Sequence, residues 1–138
     1  MAITLPQPNA NLPFQHRRLT GALAAGTAIA NATAISEVIA LGNVRNLVIR
    51  AKTTTAGATL SFDFVHPVAT DTPFQLSDGA IDPAKVTVYA DDQTPTDVTL
   101  TAGTAGAMAV TCSGESYGKI TITGAGTGTL NYVDISAL

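Results

Sequence analysis

Three observations predict an all-β fold, an antiparallel β-sandwich expected in its jelly-roll form. Short segments of alternating apolar and polar residues recur at roughly 8–12-residue spacing, as in sandwiches and barrels. Gly, Thr, Pro and Asp fill the gaps between them, which is the composition turns require. No apolar stripe of helical period alternates with these segments, so the rhythm of a parallel βαβ fold is missing. At 138 residues the chain suits one domain that buries about two-thirds of its unfolded surface. Its single cysteine, Cys112, admits no internal disulfide.

Residues 1–18, MAITLPQPNANLPFQHRR, read as an extended N-terminal arm, leaving 19–138 as the domain. Pro6, Pro8 and Pro13 fix φ and remove backbone donors, which keeps the segment out of a central strand. Leu5, Leu12 and Phe14 are its apolar anchors, and His16, Arg17 and Arg18 form a basic end. The two arginines precede LTGALAAGTAIANATA, in the manner of a twin-arginine leader. Thr20, Gly21, Gly26, Thr27 and Asn31 break the apolar run that such a leader, or a membrane span, needs. Over 19–41 the alanines favour helix, but Ile29, Thr33, Ile35, Val38 and Ile39 are β-branched and favour strands. Two strands, 19–30 and 33–41, are expected, with Gly42-Asn43 as the following turn.

Val44–Pro67 carries the strongest alternation. Leu47, Ile49 and Ala51 share one face, and so do Leu60, Phe62 and Phe64. The Thr/Gly-containing link at 53–57 makes this the expected central hairpin. A long loop with Pro73, Asp78-Gly79 and Pro83 follows, and Phe74 is expected to tuck onto the body or a partner. Further strands are expected at 85–90, 97–101, 107–112, 117–123 and 129–136. Their inward residues are Val86 and Val88, Val98 and Leu100, Met108, Val110 and Cys112, and Ile120 and Ile122.

No catalytic constellation is visible. Asp63 and His66 are the nearest acid–base pair, but odd spacing puts them on opposite faces of a strand. Two histidines and one cysteine make no zinc site, and Cys112 on the Met108/Val110 face reads as a buried small hydrophobe. The aspartates of the second half lack a calcium-loop pattern. Gly124, Gly126 and Gly128 lack both phosphate-loop spacings and sit between two strands. No catalytic, cofactor or metal residue is therefore assigned, and no cofactor is expected. The net charge of −3 and scattered basic residues argue against nucleic acid as a direct partner. Charged residues are only 12% of the chain, about half the usual share, which suits a subunit that is partly covered.

A Pro-punctuated arm followed by a Thr-, Ala- and Gly-rich all-β body resembles the small cement or decoration proteins of tailed-phage heads, especially the jelly-roll kind. The resemblance implies a non-enzymatic protein on the outer capsid surface, made in the host cytoplasm. Its partners would be the major capsid protein and itself, a homodimer favoured over a trimer, with no membrane. Its contacts would fall on Leu5, Leu12, Phe14, Arg17, Arg18 and Phe74. The competing expectation is a ligand- or receptor-binding module of a phage fibre or other surface appendage.

Overall fold

The computed structural model describes residues 16–42, 44–55, 57–68 and 81–137. Ten strands run in the order β1 (His16–Arg18), β2 (Ala28–Ile29), β3 (Ala34–Ala40), β4 (Asn46–Thr53), β5 (Thr59–Pro67), β6 (Val86–Val88), β7 (Val98–Thr99), β8 (Gly106–Thr111), β9 (Tyr117–Thr123) and β10 (Gly128–Ala137). A 3-10 turn at Pro83–Lys85 precedes β6, capped by Asp82, whose Oδ1 accepts from the Ala84 N–H at 2.9 Å. The strands form two five-stranded sheets, and every pairing is antiparallel. Sheet I has the order β1-β10-β4-β8, with β2 also on β10. Sheet II has the order β3-β9-β5-β6, with β7 also on β5. The two sheets pack face to face as a β-sandwich.

The core lies where the inner faces meet. Leu47, Ile49, Val133 and Ile135 of sheet I and Leu60, Phe62, Phe64, Ile120 and Ile122 of sheet II are buried. Phe62 meets Phe64 edge-on, with centroids 5.1 Å apart, the geometry ring quadrupoles prefer. Met108, Val110, Cys112 and Leu100 are buried as their alternation predicts.

The expected hairpin at 44–67 is overturned. β4 pairs with β10 and β8, whereas β5 pairs with β9, β6 and β7, so the two strands are central in opposite sheets. Alternation fixes which face of a strand is buried, not which strand lies beside it. A link of this length can span the ~10 Å between packed sheets as easily as it turns a hairpin. Threonines hold the corner: Thr55 Oγ1 donates to the Thr127 carbonyl, and Thr54 Oγ1 accepts from the Thr129 N–H, both at 2.9 Å.

Other corrections are local. Of 19–30 only Ala28–Ile29 is a strand; Leu19 is buried just after β1, its N–H donating to the Val133 carbonyl, and Leu23 is buried from a turn, while β3 matches the second expected strand. Lys85 belongs to the 3-10 turn. Val88 is 46% exposed and Val86 half-buried, because β6 sets Val88 opposite Val65 on the outer side of an edge. Tyr89 packs against Phe64 instead. His16–Arg18, the basic end of the expected arm, form an exposed edge strand paired with β10.

Candidate functional site

The outer face of sheet I is the candidate interface. Register sets Arg18, Asp134, Arg50 and Ala107 side by side on β1, β10, β4 and β8. The neighbouring row is His16, Ser136, Val48 and Ala109, and Tyr132 lies opposite Lys52. Directly opposed residues share a face, so these rows tile one surface behind the buried set.

Tyr132 reaches that surface through a bulge. Leu130 pairs with Thr53 and Tyr132 with Lys52, so Asn131 is an extra residue in β10. Without it, Leu130 and Tyr132 would both be inward or both outward. The bulge leaves Leu130 buried and turns Tyr132 out, where the Arg18 guanidinium carbon lies 4.5 Å from the ring centroid.

The same guanidinium grips Asp134 with both carboxylate oxygens: Nε donates to Oδ1 at 2.7 Å and Nη2 to Oδ2 at 3.1 Å. These bonds hold the Asp134 carboxyl below the usual carboxylate range, with smaller contributions from Arg18, His16 and Arg50 charge. They also push the Arg18 guanidinium up. His16 Nδ1 lies 2.9 Å from Ser136 Oγ. Among the described residues the face thus carries three cations, Arg18, Arg50 and Lys52, against one carboxylate, in a chain of net charge −3.

A second feature is the end of the sandwich where β4 and β9 start and β5 and β8 finish. A groove of about 490 Å³ is lined there by Gly42, Val44, Arg45, Cys112, Ser113 and Gly114. Its neighbour, about 460 Å³, is lined by Val65, His66, Tyr89, Gly114, Glu115 and Ser116. His66 is exposed and continues the Phe62/Phe64 side beyond the rim of the core, its ring 5.4 Å from that of Tyr89. Burial, then the Glu115 and Asp91 carboxylates, push the Tyr89 phenol up. Ser113 Oγ donates to Gln93 Oε1 at 2.6 Å. Cys112 is buried, and burial pushes its thiol up to about 11, which keeps it un-ionised and a poor nucleophile at neutral pH. Among the described residues no three His, Cys, Asp or Glu side chains gather as a metal requires.

The chain matches no protein-family model and no curated protein. Its own geometry is therefore the whole basis for placing the sequence-predicted site. Of the six contact residues expected, Arg17 and Arg18 lie in β1, both exposed. Leu5, Leu12, Phe14 and Phe74 lie outside the described residues. Arg18 pairs with the Asp134 carboxylate of the same chain. Arg50, Lys52, Tyr132 and Asp134 escaped the sequence reading of the site. Their signal was present in the outward positions of NLVIRAKT and YVDIS, but only strand order brings them together.

Proposed function

We propose that this protein is a non-enzymatic structural protein of a tailed-phage head. It would bind the outer capsid surface, bridge adjacent major capsid proteins and stabilise the shell. The observation that carries this reading is the outer face of sheet I, a pleated surface of short and basic side chains braced by the Arg18–Asp134 pair. Such a face suits a broad protein contact better than a small ligand, which prefers a concave, largely apolar site. Modest contacts suffice when an oligomer engages two lattice subunits, since avidity multiplies affinity by roughly 10²–10⁴.

The jelly-roll form belongs to the same proposal. Its support is strand order: the first and last strands are neighbours, and strands close in sequence repeatedly fall in opposite sheets. Two interlocked Greek keys have that arrangement.

The test is co-sedimentation with phage shells assembled without this protein. The native chain is expected to bind and raise the shells' disruption temperature. Arg50→Glu with Lys52→Glu is expected to weaken binding, and His66→Ala to leave it unchanged. Absence of binding to shells from any candidate phage source sinks the proposal. The end grooves favour the second reading, a ligand- or receptor-binding module; retention on immobilised glycans that is lost with Tyr89→Ala would establish it instead.

A further inference from the structure

The two sheets offer four edges, and three of them are guarded. β1 is three residues long and basic throughout. β3 carries Glu37, whose Oε1 accepts from the Leu23 N–H at 3.0 Å and so holds the 21–23 turn beside that edge. On sheet II's other side the edge is split into the short β6 and β7, with Asp91, Asp92, Pro95 and Asp97 between them. Charges, prolines and short strands are the usual means of keeping a sheet edge from pairing with another chain.

β8 has none of these guards. It is six residues long, GAMAVT, and no charged residue or proline occurs from Val98 to Ser113. Among the described residues it pairs with β4 alone. Its outward groups follow from the ladder. The Cys112 N–H donates to the Arg45 carbonyl at 2.7 Å, which makes 112 and 45 a hydrogen-bonded pair. The pattern alternates in an antiparallel ladder, so Val110, Met108 and Gly106 also turn their backbone groups toward β4. Ala107, Ala109 and Thr111 turn theirs to the open edge, and all three are exposed.

From this edge we infer that the protein is a homodimer built by antiparallel pairing of β8 with β8 of a second copy, about a two-fold axis at Ala109. The partner is another copy because the arrangement is self-complementary. Ala109 meets its own equivalent, and Ala107 meets Thr111 of the other chain, so the three residues form about six hydrogen bonds, two at each pair. The side chains at the seam are methyl groups and a hydroxyl, which allow close approach. The next strands would set Arg50 in line with Asn46 of the second copy, so no like charges face each other. The axis stands perpendicular to the sheet, and both basic faces therefore point the same way. This inference stands independently of the capsid reading.

Sedimentation equilibrium of the full chain alone, with no shell present, tests it. A dimer mass is expected at micromolar concentration. Ala109→Lys should raise the dimer dissociation constant several-fold, because it sets two ammonium groups directly opposite each other across the axis. Ala109→Pro should do the same by removing one edge donor, at a position where an edge strand tolerates proline. Amide exchange supplies a site-specific readout: Ala107, Ala109 and Thr111 should be protected in the native chain, and residues 107 and 111 unprotected in either variant. Thr111→Lys serves if Ala109→Lys does not fold. A monomeric native chain, a trimer, or a dimer that survives these variants overturns the inference.

Discussion

Phe62 and Gly118 test the core at the residue scale. Phe62 is buried against Phe64, so Phe62→Ala should cost about 3–5 kcal/mol in urea unfolding. Gly118 faces the same ring, and a methyl group built on it would collide with the Phe62 ring. Gly118→Ala should therefore cost about 1–3 kcal/mol, by overpacking and not by backbone strain. Nothing in YGKITIT foretold this, because the requirement comes from a ring on another strand. Cys112 gives a chemical prediction. With its thiol pushed from the ordinary 9.0 to about 11, iodoacetamide should label the native protein far more slowly than the urea-unfolded one. A folded-state value raised above the unfolded one means the thiol's contribution to stability is full below pH 9.0 and is lost as pH climbs toward about 11.

Among the elements, β10 combines two devices, a bulge and an ion pair. Deleting Asn131 should force Leu130 out of the core or Tyr132 into it, lowering stability by about 2–5 kcal/mol in the same unfolding assay. Asp134 is held below the usual carboxylate range by Arg18, so its contribution is present at neutral pH and is lost only as acid approaches that lowered value. Asp134→Asn should remove that contribution, lowering the neutral plateau by the small amount an exposed ion pair is worth and flattening the acid limb, while stability at the acid end stays the same. Much of each strand was legible in the sequence: Leu47, Ile49 and Ala51, or Ile120 and Ile122, announce a buried face by alternation alone. Val88 misled because an edge strand has no second neighbour to hold it to the pattern. The pairing of β4 with β10 was not legible, since it joins segments some eighty residues apart through backbone groups that every residue shares. The basic face depended on that pairing and stayed hidden with it.

For the whole molecule, the arm and the body should separate experimentally. Deleting residues 2–15 should leave the unfolding midpoint of the body unchanged, because β1 keeps its ladder with β10, while shell binding falls. Unaltered shell binding would reduce the arm to a passive extension. The adjacency of β1 and β10 also governs when this protein can exist. His16 lies opposite Ser136, and β10 is the strand that joins β1 and β2 to β4. During synthesis β1 and β2 leave the ribosome well before β10, the strand that receives them. β4 and β8 can pair earlier, but sheet I is completed only when β10 joins them to β1 and β2. Pairings this distant in sequence place folding on the slow side, milliseconds to seconds for comparable β folds. Until translation has passed residue 137, the nascent chain carries an apolar half-sandwich for chaperones to shield.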